Sequence, residues 1–362
     1  MAEVKPFRAV RYGEGAGPLE TLVAPPYDVI SPQEREELRA RSPHNVVHLT
    51  LPEDEAEAGR LWADWRRNGI LVDEAEPGYF WVSQDYVGPD GVARTREGLA
   101  AALRAEAYEH RVVLPHERTH SGPKEGRLRL LREVRAQLEP LFFLYEGEPP
   151  AERPQRDPDL EADGARLWWL SPDGTGIAEA FADRQLLIAD GHHRYETALA
   201  YHEEAGTPES AYVLAVLVSL EDPGLMIFPT HRVFAAEPPE SLTTEERLPD
   251  PQHALRALEA LPRDRAAAVV YRQGDAELAV DGEGELDVRL VDRLGHEGLS
   301  YTPDWQEAVR AVDSGEAAVA VLMRPTTIED VFAVAQRGET MPQKSTYFYP
   351  KLVSGLLFLP LE

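Results

Sequence analysis

One aspartate, two histidines and an arginine meet within five residues, Asp190-Gly191-His192-His193-Arg194. The apolar triplet Leu186-Leu187-Ile188 before them reads as a short buried strand. Tyr195 to Glu204 reads as a helix after them, with Gly206 as its stop signal. The cluster therefore sits where a strand hands over to a helix. The first N–H groups of a helix have no internal partner, and the macrodipole adds partial positive charge there. Such an end suits an anion, and the forked donors of Arg194 match phosphate. His192 and His193 add further polar contacts. Asp190 has three open uses: a cap for the helix, a partner fixing a histidine tautomer, or a magnesium ligand. A single histidine near a helix start is an ordinary surface residue; this combination with an Asp-Gly turn reads as a phosphate site.

Further polar groups recur along the chain. His116-Glu117-Arg118-Thr119-His120 spells His-x-x-x-His with an internal glutamate, a zinc-hydrolase spacing when carried on a helix. Pro115 before it and Ser121-Gly122-Pro123 after it leave room for at most one turn. The zinc reading is therefore the remote alternative. Ser121 to Glu125 is a polar loop entering a helix, where Lys124 could meet phosphate as a point charge. The P-loop spacing is missing. Thr230-His231-Arg232 follows a proline at a strand end and reads either as a solvated turn or as a second phosphate contact through His231 and Arg232. Met341 to Lys351 holds Lys344, Ser345, Thr346 and Lys351, a candidate anion clasp. Its aromatics Tyr347, Phe348 and Tyr349 read as packing residues. The chain carries 33 arginines and only 4 lysines, Lys5, Lys124, Lys344 and Lys351. Where arginine is the default cation, a lysine points to a place that wants a compact ammonium.

The Asp190 segment resembles the nucleotide-binding motif of the ParB/sulfiredoxin superfamily, whose members hold nucleotide phosphates at a Gly-x-His-Arg type turn. Gly191, His193 and Arg194 match sulfiredoxin, and His192 falls on its catalytic cysteine. Sulfiredoxin chemistry is excluded, because the chain has no cysteine. Free serine kinases of the superfamily carry Asp-Gly-His, which is closer to Asp190-Gly191-His192. They also carry a Pro-His-Glu element, which Pro115-His116-Glu117 resembles. That likeness implies Glu117 as the base, with His116 and Asp190 beside it. Along its length the chain is identified as a member of the uncharacterised domain-of-unknown-function family ten-fifteen. The landmarks are Ala24-Pro25-Pro26-Tyr27-Asp28-Val29-Ile30, Leu114-Pro115-His116-Glu117, Ser121-Gly122-Pro123-Lys124-Glu125, the Asp190 turn, Pro229-Thr230-His231-Arg232, and Met341 through Lys351. The resemblance implies an α/β (α+β) fold with a ParB/sulfiredoxin-like core. It implies a nucleotide, ATP or ADP, with magnesium as a companion ion. The expected activity is phosphate transfer to a small hydroxyl compound, for example a free amino acid such as serine. A non-catalytic nucleotide switch reporting to a protein partner is the alternative.

The elements must bring these distant groups together. Residues 1–145 read as a mixed α/β region, with a hairpin turn at Gly88-Pro89-Asp90-Gly91 and a buried strand at Leu141 to Tyr145. Residues 146–164 read as a linker or surface excursion, and 165–234 as the core around the phosphate motif. Residues 235–300 read as an inserted subdomain, and 301–362 as a C-terminal α/β region completing the core. With 362 residues, 43% of them hydrophobic, the chain can bury a sizeable core. The formal net charge of −27 repels nucleic acid and anionic lipid. No apolar run is long enough to span a membrane. The N-terminal residues lack a signal-peptide profile, and cysteine is missing. The expectation is a soluble cytoplasmic protein acting on a small molecule, with a protein partner or homo-oligomer left open.

Overall fold

Unbroken apolar runs become the centre of the larger of the two main sheets. Leu141–Tyr145 and Tyr212–Ser219 are buried along their whole length and run parallel, with Ala215 opposite Leu141 and Ser219 opposite Tyr145. The computed structural model describes residues 1–117, 121–283 and 286–362. Among these residues it is a mixed α/β molecule with ten α-helices.

The larger sheet has nine strands. Their order is Val113–Leu114, Leu186–Asp190, Leu141–Tyr145, Tyr212–Ser219, Ala93–Arg104, Tyr79–Val87, Ala165–Leu170 and Leu160–Ala162, with Val4–Lys5 beside one end of Ala93–Arg104. Tyr79–Val87 and Ala93–Arg104 form the hairpin expected around Gly88-Pro89-Asp90-Gly91. Successive side chains point to opposite faces, and both faces are covered. Leu141, Phe143 and Tyr145 face a core closed by Tyr195 and Ala198 of the helix His192–Ala205. Phe142 and Leu144 face the other core, which also holds Phe348, Leu357, Val319 and Val321.

The second sheet is antiparallel, ordered Thr244–Leu248, Asp275–Glu283, Arg265–Arg272, Val319–Leu322, His231–Phe234, Leu299–Thr302. Most of it comes from the charged stretch after residue 235. Helices Pro251–Ala260 and Trp305–Asp313 cover one face through Ala254, Leu258, Ala308 and Val312. The other face joins the main core through Val270, Val319 and Val321. A two-stranded pair joins Met226–Phe228, which follows the last strand of the larger sheet, with Tyr347–Tyr349, which follows the last strand of the second. No helix among the described residues is long and apolar enough to cross a membrane.

Candidate functional site

The strand Leu186–Asp190 carries a bulge at its end. Leu187 and Ile188 pair with Leu144 and Phe143, and Asp190 then pairs with Phe142, so Ala189 is an extra residue. A bulge bends the strand and re-aims the side chains beyond it. Gly191 follows at φ 100°, a region that glycine enters without a Cβ penalty. The helix His192–Ala205 starts there with no side-chain cap. Of the three uses open to Asp190, capping is therefore not the one realised. Its carboxylate instead lies between two cations. Lys351 Nζ contacts Oδ1, and Arg194 Nη2 donates to Oδ2 at 2.8 Å. Burial pushes the Asp190 carboxyl up, but Lys351 and Arg194 outweigh it and hold it well below the usual carboxylate range. Arg194 Nη1 donates to the Pro140 carbonyl at 2.7 Å. Its fork is thus shared between Asp190 and the backbone.

His116 is fully buried. Its Nδ1 lies 2.7 Å from the Ile188 carbonyl and its Nε2 lies 2.9 Å from Thr346 Oγ1. Its own backbone N–H donates to His192 Nε2 at 3.3 Å, and the two rings meet edge to face with centroids 4.7 Å apart. Burial lowers His116 to about 4. Burial, then the neighbouring His116, takes His192 well below the ordinary value. Both rings are neutral at physiological pH.

Glu117 pairs in parallel with Met341, and its Oε1 accepts from the Lys344 backbone N–H at 3.1 Å. Burial pushes its pKa up, and the Lys344 N–H and the charges of Lys344 and Lys351 offset part of this. Lys344 adopts a left-handed φ of 58° and is exposed. For Lys351, burial favours the neutral amine, but Asp190 and Asp28 more than restore the charge, and its pKa is raised.

These groups line one cavity of about 300 Å³. It brings together Glu117, Asp190, Gly191, His192, His193, Arg194, Lys344, Thr346 and Lys351 from segments far apart in sequence. His116 lies behind this wall, against Thr346 and His192. The other sequence candidates go elsewhere. His231 and Arg232 are sealed in the strand His231–Phe234. His231 Nδ1 accepts from the Met323 N–H at 3.1 Å, and Arg232 Nη1 reaches Met323 Sδ at 2.8 Å. Ser345 turns its hydroxyl to the Pro342 carbonyl at 2.6 Å. Lys124 belongs to the helix Ser121–Val134, and its side chain lies outside the described residues. So does His120, the second histidine of the zinc spacing. Neither ring nitrogen of His116 is free for zinc. Among the described residues, no group of three or more His, Asp or Glu could hold a metal ion.

Several lining residues carry no chemistry that is legible in the sequence. Tyr27, Asp28 and Val29 form one rim. Tyr27 is fixed by its N–H to Glu139 Oε1 at 2.9 Å and by the Arg127 guanidinium 3.9 Å from its ring centroid. The Pro-Pro-Tyr-Asp landmark marked this segment without revealing a role. Thr230, Tyr301, Thr302 and Pro303 also line the cavity. Thr230 Oγ1 is buried with no hydrogen-bond partner among the described residues. Tyr301 and Thr302 arrive by pairing with Arg232 and His231, which no local pattern announces.

Residues 4–295 match the family described as protein of unknown function (DUF1015), and the chain belongs to that family. No curated protein matches it. Among solved structures, a free serine kinase in complex with AMP is similar with a TM-score of 0.41 and 17% identity, covering 68% of this chain and 89% of that one. A conserved hypothetical protein from Pyrococcus furiosus gives a TM-score of 0.38 and 16% identity, over 68% of this chain and 92% of that one. SbnI with a C-terminal truncation, from Staphylococcus aureus, gives a TM-score of 0.41 and 13% identity, over 72% of this chain and 87% of that one.

Proposed function

We propose that this member of the DUF1015 family binds a nucleotide, ATP or ADP, in the cavity and transfers a phosphoryl group to a small hydroxyl compound. A free amino acid such as serine is the acceptor that the motif resemblance implies. A ParB/sulfiredoxin-like core around the strand–turn–helix of Leu186 to Ala205 is part of this proposal. One observation carries it. A carboxylate of raised pKa, Glu117, shares a cavity of about 300 Å³ with Lys344, Lys351, Arg194 and an uncapped helix start. That is the combination of base and anion-stabilising groups that phosphoryl transfer needs.

In the proposed step, Glu117 takes the acceptor's hydroxyl proton. The acceptor oxygen bonds to the terminal phosphorus, and the bond to the bridging oxygen breaks, leaving its electron pair on the nucleotide product. Lys344, Lys351 and the N–H groups at His192 and His193 offset the phosphate charge. Lys351 and Arg194 hold Asp190, which fixes the wall on which they stand. A magnesium ion arriving with the donor would add positive charge at its phosphates, while Asp190 already meets Lys351 and Arg194.

The test is thermal unfolding against ATP, ADP and AMP with and without magnesium, followed by transfer assays on a panel of hydroxyl compounds. A bound nucleotide at about a hundred times its Kd adds about 2.7 kcal/mol of stability. Absence of any shift overturns nucleotide binding. Binding without transfer to any acceptor gives first place to a switch that reports to a protein partner.

A further inference from the structure

Thr346 offers a hydroxyl to the cavity, and hydroxyls both donate and accept. Which of the two this one can do is decided behind it. His116 Nδ1 sits 2.7 Å from the Ile188 carbonyl. A carbonyl only accepts, so Nδ1 carries the proton. A neutral imidazole has one N–H, so Nε2 is bare and accepts. Its partner at 2.9 Å is Thr346 Oγ1, which must therefore spend its proton on His116. Only lone pairs remain on the face that Thr346 turns to the cavity. The neutral state of His116 follows from full burial and from the His192 ring 4.7 Å away. His192 is fixed in the same way. Its Nε2 accepts the His116 N–H, so its ring proton is on Nδ1.

We propose that Thr346 is a specificity-determining residue that accepts a hydrogen bond from a donor group of the phosphoryl acceptor, a hydroxyl or an ammonium, and does not bind the phosphate of the donor nucleotide. A phosphate oxygen facing this atom would set lone pair against lone pair. A hydroxyl or ammonium finds a fixed acceptor there. The relay from the Ile188 carbonyl through His116 to Thr346 is held by the strand itself and needs no ligand to set it. This rests on the transfer reading above and reassigns a residue that the sequence reading placed with the phosphate clasp.

The experiment compares wild type, Thr346→Val and Thr346→Ser in three measurements. Nitrogen NMR of histidine-labelled protein should show His116 protonated at Nδ1 and bare at Nε2, with the Nε2 resonance moving in Thr346→Val. Titration with ADP and with inorganic phosphate should give affinities within about twofold across the three proteins. In the transfer assay, Thr346→Val should raise KM for the acceptor by roughly tenfold, the loss of one hydrogen bond, and Thr346→Ser should restore it. A protonated Nε2 on His116 overturns the inference, and so does a tenfold loss of ADP or phosphate affinity in Thr346→Val. An unchanged acceptor KM in Thr346→Val overturns it as well. A wild type that transfers to nothing defeats the transfer reading and the acceptor assignment together, and the NMR and titration results then stand as the record of the Thr346 polarity. A wild type that transfers while the NMR or titration result goes the other way defeats only the inference.

Discussion

Glu117 and Lys344 share a hydrogen bond, yet they meet different parts of the proposed reaction. Glu117 acts on the acceptor proton, so Glu117→Gln should lower turnover by roughly a hundredfold or more while nucleotide affinity stays near wild type. The pH profile gives a second reading. A base works only when deprotonated, and burial raises this carboxyl from its ordinary 4.5. The acid limb of turnover should therefore have its midpoint above 4.5, with activity rising as pH rises through it. Steady-state rates across pH check this, and a midpoint at or below the ordinary glutamate value removes Glu117 from the role. Lys344 is exposed and forms no ion pair among the described residues, so its ammonium is available to a ligand. Lys344→Ala should weaken nucleotide binding by roughly tenfold, about 1.4 kcal/mol. Lys344→Arg should recover part of that, since a planar fork does not replace a compact ammonium at a left-handed turn. Calorimetric titration of both variants decides it, and full recovery by arginine would defeat the argument from charge type.

At the scale of elements, the handover from strand to helix is what the site is built on. Gly191 has φ 100°, and a Cβ there would lie 3.2 Å from both Arg194 Nη2 and Leu141 Cγ. Gly191→Ala should cost about 1–2 kcal/mol in the backbone alone and displace Arg194 from Asp190. Urea unfolding and nucleotide titration should both register the change; a variant with wild-type values in both would mean that the turn tolerates a side chain. Leu186-Leu187-Ile188, the Asp-Gly break and the helix beyond were legible because apolar runs and turn residues are local signals. The fate of Asp190 was not legible. Its aim depends on a bulge against Phe142, and its partner Lys351 lies 161 residues away. The same limit explains His231 and Arg232. As a tripeptide after proline they resemble a solvated turn or a phosphate contact, but antiparallel pairing on both sides buries them. Pairing also brought in Tyr301 and Thr302, which carry no motif. Glu117 stood out in the sequence twice, as the internal glutamate of the zinc spacing and, as a base for phosphoryl transfer, through the resemblance of its Pro-His-Glu setting; its contact with the Lys344 turn is a property of the fold.

At the scale of the whole molecule, the cavity is walled by both sheets, which share one core, so its polar floor is also part of global stability. Three buried histidines bear on this: His116 and His192 behind and in the cavity wall, and His231 in the second sheet. Burial lowers His116 and His231 to about 4, and His192 falls too. Above pH 6.5 these rings are neutral in both folded and unfolded chains and stability does not depend on them. Between 6.5 and about 4 the unfolded chain takes up their protons and the folded one does not, so stability falls as pH falls. Each ring lowered from 6.5 to about 4 accounts for roughly 3 kcal/mol across that window. That is a large share of a typical domain's stability of about 5–15 kcal/mol. Asp190 plays no part in this range, since its stabilising pairs persist until pH falls below the ordinary aspartate value. Two effects oppose the histidines. Glu117 and Asp222, both raised by burial, favour the folded state as they protonate. Acidification also relieves the self-repulsion of a chain with net charge −27. Exposed charges are screened and repel weakly, whereas a proton cannot enter a sealed ring without breaking the core, so the histidines should win. Urea midpoints should therefore fall from pH 7 to pH 5. His231→Asn keeps an acceptor for the Met323 N–H at the Nδ1 position and removes one of the three protons, so it should flatten that slope. A wild type that grows more stable on acidification would show that charge repulsion, rather than buried imidazole, governs this molecule below neutrality.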